Sequence, residues 1–113
     1  MQARVAMAIA AHPDDIEFVM AGTLLLLREA GLNIHMWNLA DGRCGTATAD
    51  VDDIVRERYA EAQASAALAG ATLHPPIAQD LAISYNPETL SKMAAVIRKV
   101  KPNVLLVPAR GFA

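Results

Sequence analysis

Seven consecutive apolar residues, VAMAIAA over 5–11, run straight into His12-Pro13-Asp14-Asp15-Ile16-Glu17. The run is too short for a core helix and reads as a buried strand, while a proline followed by acids is the composition of a helix's first turn. A strand that turns into a helix within two residues is the start of a β-α unit, and the same change recurs along the chain. The order expected is strand 5–11, helix 14–30, strand 33–39, helix 51–69, a short strand 71–73, helix 87–99 and strand 103–107. Gly31 and Gly70 fall where the first two long helices must stop, and Asn86-Pro87-Glu88 opens the next. Within the first helix Ala21, Leu24 and Leu27 share the face toward the sheet, and Arg28 marks the solvent side. Alternation of this kind implies parallel strands with right-handed crossovers, a Rossmann-like three-layer α/β/α fold with a mostly parallel sheet.

His12 then sits at the carboxyl end of a parallel strand, where ligands of open α/β sheets bind. Imidazole nitrogen and carboxylate oxygen are donors of catalytic zinc, so His12 and Asp15 supply two ligands, and Asp14 is left as a general base. The helix amino terminus favours ionised carboxylates there. The same Pro-Asp-Asp-x-Glu also reads as ordinary helix-start capping beside an incidental histidine. Spacing alone leaves both readings open.

Ala11-His12-Pro13-Asp14-Asp15-Ile16-Glu17 followed by Ala21-Gly22-Thr23-Leu24 resembles the opening signature of the LmbE-like (PIG-L) N-acetylglucosaminyl deacetylases. The likeness continues in Asp41-Gly42-Arg43-Cys44-Gly45-Thr46, which resembles a glycine-rich loop of that family. It extends through Arg58, Glu61-Ala62, Ser65-Ala66 and Gly70, and through Ile97-Arg98, Pro102 and Val104. The resemblance implies a metal-dependent hydrolase that removes the N-acetyl group from an N-acetylglucosaminyl-type substrate. By it, His12 and Asp15 bind Zn2+, Asp14 is the catalytic base, and Arg58, Asp80 and Arg43 contact the substrate. In the family the strand matching 103–108 leads to a His-Pro-Asp-His-like segment that carries the third zinc ligand and a second catalytic histidine. This chain ends at Ala113, before such a segment, and is expected to be a single LmbE-like domain over 1–113 with its carboxyl-terminal part missing. Two protein ligands predict weak metal binding and impaired turnover for the chain alone. A non-catalytic remnant that binds sugar or oligomerises is the alternative.

The other histidines are expected to stay out of the site. His35 precedes the end of the second strand by several residues, and His74 falls before Pro75-Pro76 in what reads as a solvated loop. A phosphorelay receiver also places paired acids after its first strand, but it needs an aspartate ending the third strand, where this chain has His74-Pro75-Pro76.

The 113 residues, 54% hydrophobic and 19% charged, suit one globular domain that buries about two thirds of its unfolded surface. At 4% aromatic content the core must come from small aliphatic side chains. A net charge of −2 with scattered basic residues gives no nucleic-acid face. Cys44 is the single cysteine, which excludes an internal disulfide and, with the resemblance, points to the cytoplasm. It reads as a spectator thiol, with no histidine near it in sequence. No apolar run is long enough to span a bilayer. The first eleven residues resemble a signal peptide only in outline and read as the first strand. Residues 45–53 read as a loop beside the site. A sheet ending after four strands exposes an edge and an apolar face, so a homo-oligomer is expected.

Overall fold

Five of the six residues of the first strand, β1 (Val5–Ala10), are buried, as an all-apolar run between two helical layers requires. The computed structural model of the protein describes residues 4–10, 15–40, 51–77 and 87–107, with backbone alone at 15–19 and 51. After β1 come α1 (Asp15–Glu29), β2 (Asn33–Asn38), α2 (Val51–Ala69), β3 (Ala71–His74), α3 (Pro87–Val100) and β4 (Val104–Leu106). All strands are parallel and lie in the order β3-β2-β1-β4. Val5 to Ala10 pair in register with Asn33 to Asn38, Ala6 is level with Val104, and Trp37 is level with His74.

Period-two alternation divides the core into two sides. Ala6, Ala8, Ala10, Ile34 and Met36 point to one face and meet Met20 and Leu24 of α1 and Ala66 of α2. Met7, Ile9, Trp37 and Leu39 point to the other, under Met93, Val96, Ile97 and Val100 of α3. This is the expected three-layer α/β/α arrangement. Alanines on the first face let the two helices approach the sheet closely, so little area is buried per residue. Leu25, Leu26 and Leu68 remain exposed on α1 and α2, as do Leu105 and Val107 at the edge strand β4.

Helix ends follow the local code. Gly31 (φ 94°) closes α1 with Gly31 N–H donating to Arg28 C=O and Leu32 N–H to Leu27 C=O, the two bonds of a Schellman cap. Gly70 (φ 66°) closes α2, and a Cβ built there would lie 2.9 Å from the Arg28 guanidinium. Arg28 is exposed, as its place on α1 predicts, yet it also bridges the ends of the two helices. Gly70→Ala is expected to destabilise the fold by about 1–2 kcal/mol, the cost of a left-handed L-residue, because the arginine tip can swing aside. Urea unfolding followed by circular dichroism measures it, and an unchanged midpoint would contradict this account.

Several boundaries differ from expectation. Asp52 and Asp53, read both as part of the helix over 51–69 and as the tail of the 45–53 loop, form the first turn of α2 as the helix reading has it, and their charges suit the helix amino terminus. Residues 45–50 of the expected loop lie outside the described residues. α3 reaches Val100 and stops at Lys101 in the left-handed region (φ 53°), where Lys101 N–H donates to Ile97 C=O. β3 includes His74, which is therefore a strand residue and half-buried, not part of a solvated loop. Proline at 75 cannot extend the ladder, so His74 is the last residue able to pair.

Candidate active site

The chain steps from β1 to β2 to β3 in one direction across the sheet, then returns so that β4 lies on the other side of β1. The order of connection thus reverses between β1 and β4, and ligands of such sheets bind in the crevice outside the strand ends at that reversal. β1 ends at Ala10 and α1 begins at Asp15 at this side of the sheet. His12 and Asp14 lie outside the described residues, and so do Arg43, Cys44 and Asp80. Asp15 opens α1, and its side chain is likewise outside the description. Among the described residues no three His, Cys, Asp or Glu side chains are grouped to hold a metal ion.

Arg58 is the predicted substrate contact whose side chain is described. It lines a cavity of about 500 Å³ between α2 and the carboxyl ends of β2 and β3, together with Asn38, Tyr59, Ala62, His74 and Pro75. Its Nη1 also stands 3.5 Å from Glu61 Oε2, one helical turn along, with both side chains partly exposed. A pair so open to water is worth at most about 1 kcal/mol, so a ligand can compete for the guanidinium. Asp53 makes an ion pair with Arg56.

Asn38 was not singled out from sequence. It ends β2, is 5% exposed, and its Oδ1 has no hydrogen-bond partner among the described residues. An unsatisfied buried acceptor costs about 1–3 kcal/mol, and a hydroxyl or amide donor in the cavity would meet that need. The signal available was a polar residue directly after the apolar pair Met36-Trp37 at the end of the strand NIHMWN.

The second unforeseen feature is a contact between His35 and His74, whose Nδ1 and Nε2 are 2.8 Å apart. Trp37 holds the same corner, its Nε1–H donating to Pro75 C=O at 2.9 Å. His35 is level with Met7, midway along β1, so it stays away from the carboxyl end, as its place in β2 predicts. Burial lowers the basicity of His35. Burial, then His35, then Lys99 lower that of His74. Folded imidazoles that hold protons less well than unfolded ones contribute stability that is complete above the unfolded value of about 6.5. That stability is lost as the pH falls through the lowered folded values. The urea midpoint is expected to drop more between pH 7.5 and pH 5 in the wild type than in a His35→Gln/His74→Gln double variant. Equal drops would show that the pair is not the cause.

Comparison with known proteins bears on the family and the fold. A family model for PIG-L, described as GlcNAc-PI de-N-acetylase, matches residues 7–112. Diacetylchitobiose deacetylase of Thermococcus kodakarensis is 30% identical over 105 residues, which make up 90% of this chain and 39% of that protein. The solved N,N'-diacetylchitobiose deacetylase of Pyrococcus horikoshii superposes with a TM-score of 0.85 at 23% identity, over 98% of this chain and 45% of that one. GalB, the 4-carboxy-2-hydroxymuconate hydratase of Pseudomonas putida, gives 0.81 at 24% identity, over 90% and 45%. These two likenesses establish a shared fold, which carries a deacetylase in one case and a hydratase in the other. The chain spans less than half the length of each of the three proteins. No described helix is long and apolar enough to cross a membrane. With a matched region that runs from β1 past β4, the chain belongs to the PIG-L (GlcNAc-PI de-N-acetylase) family.

Proposed function

We propose that the protein takes part in metal-dependent hydrolysis of the N-acetyl group of an N-acetylglucosaminyl-type substrate, with the reacting centre beyond the carboxyl end of β1. The observation that supports this reading is that β1 ends and α1 begins at the reversal of the sheet, within the region that matches the family. A sheet of this topology brings the strand ends of β1 and β4 side by side, so groups following either strand can converge on one ligand.

The donors fit zinc in kind: His12 offers an imidazole nitrogen and Asp15 a carboxylate oxygen. The chemistry supplied by such an ion when bound is polarisation of the amide carbonyl and acidification of a water to a pKa of about 7. Asp14 takes the proton of the attacking water and passes it to the departing amine nitrogen. The amino terminus of α1 favours its ionised, proton-accepting form. Arg58, Arg43 and Asp80 hold the sugar and its substituent, with the guanidinium groups suited to an anionic part.

This stretch supplies two metal donors and the base of a larger LmbE-like domain, so on its own it binds zinc weakly and turns over little. The test is acetate release from N,N'-diacetylchitobiose by the 113-residue chain and by a chain extended through a His-Pro-Asp-His-like segment. Chelator-sensitive release by the extended chain, with little from the short one, supports the reading. Release unaffected by a chelator contradicts the metal's role. Absence of release from a folded, zinc-loaded extended chain favours a sugar-binding or oligomerising module instead.

A further inference from the structure

His35 and His74 come from neighbouring parallel strands, 39 positions apart in sequence, and meet with 2.8 Å between ring nitrogens. Their centroids are 5.1 Å apart and their planes lie 23° from parallel. That centroid distance is about the nitrogen separation plus one ring radius at each end, so the imidazoles meet end to end rather than face to face. Two nitrogen lone-pair positions therefore face one another across a gap bridged by a single proton. Trp37 is level with His74, and His35 lies two residues before Trp37, so strand alternation directs both imidazoles to the face covered by α3. The pair is part-buried and lies beside β3, the outer strand of the sheet. His35 is level with the middle of β1, away from the crevice beyond that strand, while His74 also lines the cavity that holds Arg58.

We propose that His35 and His74 form a two-imidazole site for a divalent transition-metal ion of the copper, nickel and zinc class, with Cu2+ held most tightly. Imidazole suits all three ions, and affinity for divalent metals rises to a maximum at copper. Metal–nitrogen bonds of about 2.0–2.1 Å converge from nitrogens roughly 3–3.5 Å apart, so the gap has to widen by less than about 1 Å while the rings turn. The bridging proton moves to the other nitrogen of the imidazole that carried it. Both rings then stay neutral, each offers a lone pair, and no electron is transferred. Water fills the remaining coordination positions. An ion held there ties the outer strand β3 to β2 and closes a long loop, which stabilises the fold. Lys99 of α3, whose charge already disfavours a proton on His74, opposes the cation by the same repulsion and moderates the affinity.

The test is calorimetric titration with CuCl2, NiCl2 and ZnCl2 at pH 7.5. It is done in a His12→Ala background so that the proposed catalytic centre makes no contribution. One Cu2+ per chain is expected, bound more tightly than Ni2+ or Zn2+, with electron paramagnetic resonance showing coupling to two nitrogens. Binding is expected to be lost in His35→Gln and in His74→Gln, each checked for fold by circular dichroism. Lys99→Ala changes an exposed side chain and is expected to tighten binding several-fold. One-to-one binding that persists in both glutamine variants, a spectrum without two nitrogen donors, or no tightening on removal of Lys99 would overturn the proposal. These readouts are independent of acetate release, so their failure leaves the hydrolase reading standing.

Discussion

Asp14→Asn is expected to lower acetate release by about 10²- to 10⁴-fold, the usual contribution of a positioned general base. Asparagine keeps the shape and the hydrogen-bonding reach of aspartate but cannot accept a proton near neutral pH. Zinc content of the extended chain should therefore stay unchanged while kcat falls. His12→Ala is the contrasting variant, since it removes a metal donor and should lower zinc content and activity together. A loss of less than about tenfold for Asp14→Asn would assign proton transfer to another group. Loss of zinc in Asp14→Asn would instead make Asp14 a ligand and leave Asp15 as the candidate base.

Trp37→Ala is expected to cost about 3–5 kcal/mol, out of the roughly 5–15 kcal/mol that holds a domain together. The indole is fully buried and packs with Met7, Ile9 and Leu39 against α3. α3 has no fully buried residue of its own, so its attachment depends on that cluster. Truncation also leaves Pro75 C=O without its donor. The surrounding side chains are small or flexible aliphatics that can collapse only in part, so a cavity should remain. Circular dichroism during urea unfolding measures the loss, and Trp37→Phe, which keeps most of the volume, should cost clearly less. A loss below about 1.5 kcal/mol for the alanine variant would mean that α3 is held by something other than this cluster.

Much of the architecture is legible along the chain because its causes are local. The apolar run before Pro13 marks a buried strand, and Leu24 and Leu27 at helical spacing mark the buried side of α1. Gly31 and Gly70 mark helix ends because a left-handed residue is needed just there. Even the short pairing strand β3 is signalled, although its last residue is not. His74 looks like a loop residue when only the following prolines are considered, and becomes a strand residue once Trp37 of β2 lies beside it.

The sequence offers a candidate site as an expectation, and the described residues add members to it that the sequence does not signal. His12, Asp14 and Asp15 stand out because a strand-to-helix junction gathers them within four positions. Arg58 stands out through a resemblance, but its cavity walls come from β2, α2, β3 and the segment after β3. Asn38 gains its interest only from being buried without a partner, a property no single-strand pattern records.

The amino-acid order by itself determined the succession of strands and helices, the helix stops and the three-layer class, since each follows from contacts within one or two turns of chain. Tertiary structure alone decided that β4 returns to the far side of β1, that His35 meets His74, and that Arg58 and Asn38 share one cavity. Those outcomes depend on segments tens of residues apart, brought together by burial of the sheet's two faces. Hydrophobic burial is non-directional, so it leaves no mark in the chain of which distant partner it will select.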